Sequence, residues 1–336
     1  MSELNTIALK ILSNGKGILA ADESNGTMTK RLDSVNVVST PENRLLFREM
    51  LFASESMKNC IGGVILYDET INQVSNSGKK ISTMISETGA VTGIKVDTGA
   101  NDLANSLEEK ITEGLDGLRE RLKKYHDLGA RFTKWRGVYK IGKKYPSKLA
   151  INSNAHALAR YSALVQECGM VPIVEPEVLM DGDHSAEDCL TKTSEVIQKC
   201  FEELIINKID LTGIILKPNM ILAGNNSQGK ISKEEVASKT LECLQQSVPN
   251  EVPGIAFLSG GQSEIEATEN LNLINKNNNT NFIMTYSYGR ALQQSALKFW
   301  SNNTKDIKGT QDVFNHRAKM NTLAAQGKWS IELENK

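Results

Sequence analysis

Eight short runs of apolar, largely β-branched residues punctuate the chain, and amphipathic stretches separate them. The runs are GILAAD (17–22), GGVILYD (62–68), GIKVD (93–97), FTKWRGVY (132–139), MVPIVEPEV (170–178), TGIILKP (212–218), GIAFLSG (254–260) and FIMTYSYG (282–289). Each has the length and composition of a buried strand, and successive runs start roughly thirty to forty-five residues apart, as βα units require. The intervening pieces carry helix signals. Thr40 and Pro41 stand at N-cap and N1 of one, Ser185 caps a second, and Ser232 with Glu235 forms a capping-box pattern ahead of a third. Polar INKNNNTNF (274–282) fits a loop entering the last strand. Eight strand–helix pairs predict an α/β chain folded as one (β/α)₈ barrel over residues 1–336, with a short C-terminal segment from about 328. An open doubly wound sheet is the rival, but no GxGxxG follows the first strand.

The alternation within the runs places charge on one face. Residues i and i+2 of a strand share a side. GIKVD therefore pairs Lys95 with Asp97, FTKWRGV pairs Lys134 with Arg136, and IVEPEV pairs Glu175 with Glu177. In GIILK, Lys217 shares its face with Ile215, while LAADES brings Asp22 to the end of the first strand. If the apolar set packs outward on helices, four cations and four anions converge at the carboxyl ends of the strands. Any one of them alone fits a strand end reaching water. Five strands ending in charge at the same relative point fit a catalytic mouth better, and the balance of signs lets members pair when desolvated.

A lysine among apolar walls and other cations has its neutral amine favoured, which makes it a nucleophile toward carbonyls through Schiff-base formation. Lys95, Lys134 and Lys217 all meet this description. Glu175 and Glu177 suit general acid–base work if burial raises one carboxyl and a cation keeps the other ionised. The last two strands end in Ser259-Gly260-Gly261 and Gly289-Arg290, glycine-rich turns suited to a phosphate, as expected after strands seven and eight of such a barrel. Lys30 and Arg31 offer a second anion contact.

Composition narrows the classes. Thirty-nine basic and forty acidic residues give a net charge of −1, so nothing electrostatic favours nucleic acid or an anionic membrane as partner. The five cysteines include no CxxC pair and read as reduced thiols of a cytoplasmic protein. No signal peptide or membrane-spanning run is seen. The four histidines show no HxH or HxxxH spacing. The one divalent-ion candidate, DGDHS (181–185), reads better as a turn with an N-cap, so neither metal nor cofactor is expected.

Taken together, GILAADESNGTMTKRL, GIKVDTG, KWRGVYKIG, VPIVEPEVLMDGDH, ILKPNM, FLSGGQSE and SYGRALQ closely resemble the class I fructose-1,6-bisphosphate aldolases, from about residue 10 to about residue 328. The resemblance implies a (β/α)₈ barrel, commonly a homotetramer, that cleaves the sugar bisphosphate through a lysine imine without metal. It selects Lys217 as the imine lysine and Glu175 as the proton relay with Glu177 beside it. It also implies Lys134 next to the imine lysine and Asp22 at the C4 hydroxyl. Lys95 joins the cluster and Arg136 is a phosphate-side arginine. Ser259, Gly260, Gly289 and Arg290 fall on one phosphate pocket; Ser24, Thr27 and Arg31 on the other. The chain ends in GKWSIELENK, without the terminal tyrosine that many animal members use for proton exchange, which leaves that step to Glu175 or another group. Preference for another ketose phosphate (sedoheptulose bisphosphate or fructose 1-phosphate) and a non-catalytic scaffold are the alternatives.

Overall fold

In the computed structural model, which describes residues 2–106 and 108–335, alternation along the strands sorts side chains into two separate apolar clusters. Met1, Leu107 and Lys336 of the expected single-domain span lie outside the described residues. The strands are β1 Gly17–Ala21, β2 Ile61–Leu66, β3 Val91–Lys95, β4 Gly99–Asp102, β5 Lys110–Glu113, β6 Phe132–Tyr139, β7 Val171–Val178, β8 Ile215–Leu216, β9 Gly254–Phe257 and β10 Ile283–Tyr288. Eight of them pair in parallel in the order β1-β2-β3-β6-β7-β8-β9-β10 and close back on β1. These are the eight expected strands, and helices follow them along the chain. The result is the closed (β/α)₈ barrel, not the open sheet.

Ile18, Ile65, Phe132, Ile173, Ile215 and Ala256 fill the barrel. Leu19, Val64, Trp135, Val174 and Leu216, at the opposite parity in the same strands, face outward into the shell of helices. Trp135, for example, packs at 5.4 Å on Tyr161 of the helix Lys148–Glu167. Each such fully buried side chain contributes about 1.5–3 kcal/mol relative to exposure. Helix starts follow the sequence signals. Thr40 accepts from the Asn43 N–H, and both Ser185 and Ser232 form complete capping boxes, the first with Asp188 and the second with Glu235.

Three features depart from the sequence reading. The helix Glu3–Leu12 plugs the amino end of the barrel with Ala8, Ile11 and Leu12, and Gly62 is where it touches. A Cβ there would stand 1.9 Å from the Ile11 carbonyl oxygen. An antiparallel hairpin, β4–β5, follows β3 outside the barrel, held by Asn154, whose Oδ1 accepts from Thr112 N at 3.2 Å and whose Nδ2 donates to Lys110 O at 2.9 Å. The expected strand 212–218 shrinks to Ile215–Leu216, because Leu211–Gly213 coils into a 3₁₀ turn and Pro218 has no N–H to continue a ladder. At the carboxyl-terminal end Trp329 is buried, and its Nε1 donates to Glu334, which also pairs with Arg317.

Candidate active site

The charged positions converge, because in each strand they sit two residues beyond a barrel-filling side chain. Ile215 is followed by Lys217, Ile173 by Glu175, Phe132 by Lys134 and Ala20 by Asp22. Register puts Lys95 beside Lys134, and Arg136 beside Glu175. The Lys217 Nζ lies 3.0 Å from Glu175 Oε1, and the other Glu175 oxygen is 3.3 Å from Lys134 Nζ. Lys134 Nζ in turn reaches Asp22 Oδ2 at 2.8 Å. These four groups form one chain of alternating charge at the top of the barrel. Lys217 is 4% exposed, Glu175 3% and Lys134 5%, so the chain is almost fully desolvated. Lys95 pairs with Asp97 at 3.5 Å and lies over the Tyr67 ring, and Arg136 meets Glu177 at 3.0 Å nearer the mouth, its side chain 47% exposed.

Burial alone pushes every carboxyl up and every amine down, but the pairing outweighs it for most of the cluster. Desolvation of Asp22 is overcome by Lys134, Lys217 and Lys95, which hold its carboxyl well below the usual range. Desolvation of Glu175 is likewise outweighed by Lys134, Lys217 and Arg136, so its pKa falls. Lys134 is desolvated as well, yet Asp22, Glu175 and Asp97 raise its pKa and keep it an ammonium. Glu177 goes the other way: desolvation exceeds the help of Arg136, and its pKa rises. The two glutamates are thus shifted in opposite directions, Glu175 downward beside Lys217 and Glu177 upward, the division expected of an acid–base pair.

The fourteen residues to which the family resemblance assigns site roles line one cavity of about 250 Å³. Asp22, Lys95, Lys134, Arg136, Glu175, Glu177 and Lys217 form its charged floor and wall; Ser24, Thr27, Arg31, Ser259, Gly260, Gly289 and Arg290 surround its mouth. Gly260 and Gly261 have φ of +52° and +84°, and Gln262 N donates to Ser259 O at 3.0 Å, so the turn needs left-handed residues at its two central positions. Gly289 precedes the helix Arg290–Asn302, and a Cβ on it would come within 3.3 Å of the Arg31 guanidinium. The two arginine-bearing segments therefore meet at one corner, beside a helix N-terminus. Arg31 is set by Glu23, with which it forms a short ion pair, while buried Arg48 holds Glu23 from behind at 3.4 Å. Lys30, the other cation of that segment, is exposed and lies off the cavity.

The chain as a whole has counterparts in known proteins. The model of the family "Fructose-bisphosphate aldolase class-I" matches residues 3–336. The chain belongs to that family. A fructose-bisphosphate aldolase C from Carassius auratus is 49% identical over 97% of this chain and 91% of its own. A probable fructose-bisphosphate aldolase class 1 from Xanthomonas campestris is 46% identical over 98% and 99%. A cytosolic fructose-bisphosphate aldolase from Arabidopsis thaliana is 48% identical over 97% and 83%. Among solved structures, the fructose-bisphosphate aldolase of Plasmodium falciparum, in complex with TRAP and a small-molecule inhibitor, superposes with a TM-score of 0.96 at 43% identity, covering 98% of this chain and 95% of its own.

Several cavity residues of this family member escaped the sequence reading as site residues. Asp97 is one of the four converging anions but had no role assigned, and Ser287, two positions before Gly289, lies on the inner face of β10 with its Oγ buried and without a hydrogen-bond partner among the described residues. Glu23 had no such signal; its part in setting Arg31 emerges only from the fold. DGDHS contributes no ligand set: among the described residues no three His, Cys, Asp or Glu side chains are placed to hold a metal ion.

Proposed function

We propose that this aldolase cleaves fructose 1,6-bisphosphate reversibly to dihydroxyacetone phosphate and glyceraldehyde 3-phosphate, with Lys217 forming the imine. The observation that carries the assignment is the buried contact of Lys217 Nζ with Glu175 Oε1 at 3.0 Å, the closest lysine–carboxylate pairing that Glu175 makes. Lys134 is committed to Asp22 and Glu175, and Lys95 to Asp97. Lys217 gives a proton to the Glu175 carboxylate beside it, and the neutral amine attacks the C2 ketone. Glu175, with Glu177 beside it, passes a proton to the departing hydroxyl, and water leaves to give the iminium. Asp22, ionised against Lys134, accepts the C4-hydroxyl proton as the C3–C4 bond breaks. The bonding pair flows into the iminium, leaving an enamine and free glyceraldehyde 3-phosphate. Protonation of the enamine and hydrolysis release dihydroxyacetone phosphate and restore the amine.

In this reading Ser259, Gly260, Gly289 and Arg290 hold one phosphate through backbone N–H groups, a helix N-terminus and a guanidinium. Ser24, Thr27 and Arg31 hold the other, and Lys95 and Arg136 complete the electrostatic lining. The relatives' names give no support to another ketose phosphate as substrate. Residues 1–336 serve as one catalytic unit, in glycolysis and gluconeogenesis. A cytoplasmic location accords with the cytosolic Arabidopsis relative, and a homotetramer with the family resemblance; light scattering on the purified protein tests the latter. Borohydride reduction in the presence of dihydroxyacetone phosphate tests the mechanism. Peptide mapping should find the label on Lys217. Label on Lys95 or Lys134, or activity abolished by a chelator, would overturn it.

A further inference from the structure

The strand that presents Lys217 is the shortest of the barrel, with two residues, two paired positions toward β7 and one toward β9. Its ladder is interrupted from both sides just where the lysine emerges. Lys217 N still donates to Val174 O at 2.8 Å. In a parallel ladder the Lys217 carbonyl would next receive the N–H of residue 176, but that residue is Pro176, and Pro218 removes the following donor of β8. Something else must fix the lysine's backbone against the strand that carries Glu175.

That group is Asn219. Alternation from Lys217 would send residue 219 into the cavity. Instead the chain turns at Pro218, and the Asn219 side chain, 3% exposed, points to the outer helix Ala186–Ile206. Its Oδ1 accepts from Val178 N at 3.0 Å, the residue after Glu177. Its Nδ2 donates to Thr193 Oγ1 at 3.2 Å and to Met220 O at 3.2 Å. On the other side, Leu258 N donates to Pro218 O at 3.0 Å. The Asn219 amide therefore supplies the next cross-link between β7 and β8 beyond the rung lost at Pro176, and anchors the join to the helix behind.

We infer that Asn219 is a positioning residue for the imine lysine, holding the Lys217 backbone in register with the strand end that bears Glu175 and Glu177. The inference rests on Lys217 being the nucleophile. Without the amide clamp Lys217 drifts against Glu175, while the phosphate contacts, carried by Ser259 in the turn after β9 and by the helical Arg290 and Arg31, stay in place. A displacement near 1 Å at reacting atoms costs up to about 100-fold in rate.

The test compares wild type, Asn219→Ala, Asn219→Asp and Thr193→Val. Steady-state cleavage and the rate of borohydride trapping at saturating dihydroxyacetone phosphate are the readouts. Asn219→Ala should lower kcat and the trapping rate together by about 10- to 100-fold, with KM for the bisphosphate changed by less than about threefold. Asn219→Asp, which keeps an acceptor for the Val178 N–H, should recover part of the loss. Thr193→Val removes one hydrogen bond of the clamp and should lower kcat by about 3- to 10-fold with the same split; it decides the matter if Asn219→Ala does not fold. Variants that lose thermal stability but keep the wild-type kcat and trapping rate overturn the inference, as does a loss carried by KM. Wild-type label found on another lysine instead overturns the assignment of Lys217, and the two failures are thereby told apart.

Discussion

Replacing Lys134 by methionine leaves two carboxylates facing each other across a desolvated space. At an effective dielectric of about 20, the contacts of 2.8 Å to Asp22 and 3.3 Å to Glu175 are each worth about 5–6 kcal/mol of gross attraction. Much of that is already spent on desolvating three buried groups, and removing one partner of a buried pair costs a net of about 3–5 kcal/mol. The cost should depend on pH with a definite sign. In the wild type the folded Asp22 and Glu175 have depressed pKa values, so their stabilisation is complete above the unfolded carboxylate pKa of about 4 and is lost as pH falls through the still lower native values. In Lys134→Met the attraction that holds them down is gone, and burial together with the mutual repulsion of the two carboxyls pushes both values upward. The variant takes up protons earlier on acidification and relieves its own repulsion. Urea unfolding at several pH values between about 5 and 8 reads this directly, through the midpoint at constant slope. The destabilisation should be largest at neutral pH and shrink toward pH 5. Adding Asp22→Asn should restore at least about 1 kcal/mol at neutral pH, as a coupling between contacting groups. A destabilisation below about 1 kcal/mol, or one that does not change with pH, would refute the view of Lys134 as the cation that makes this cluster tolerable.

Two further predictions concern the mouth. Arg290→Ala should raise KM for the bisphosphate by about 10- to 100-fold, the value of a charge-assisted hydrogen bond, with a smaller effect on kcat; an unchanged KM would remove Arg290 from the phosphate site. Gly260→Ala should raise KM by about 5- to 30-fold, because an L-residue at φ +52° costs about 1–2 kcal/mol, while the atoms nearest its Cβ are side-chain ends of Leu258 and Met180, at 3.1 and 3.3 Å. If KM and stability are both unaffected, the left-handed turn is not what shapes the site.

Hydrophobic alternation by itself determined the eight barrel strands and the face on which each charge lies, since a strand's period of two leaves no freedom once one side is buried. That is why Lys217, Glu175, Lys134 and Asp22 could be placed on the inner face before any contact was known. The same pattern singled out three lysines without choosing among them, because alternation gives a side and not a distance. Only the closed barrel brings β1, β6, β7 and β8 to one point, and only there does Glu175 touch Lys217 with one oxygen and Lys134 with the other. The opposite shifts of Glu175 and Glu177 were likewise a matter of which cations surround each. The plug formed by residues 3–12, the β4–β5 hairpin and the support of Arg31 by Glu23 and Arg48 depend on contacts between distant segments, for which a linear pattern has no signal. Asn219 marks the limit most clearly: alternation points it into the cavity, but two prolines break the ladder there, and the amide the sequence would place beside the substrate is used by the fold to hold the lysine's strand.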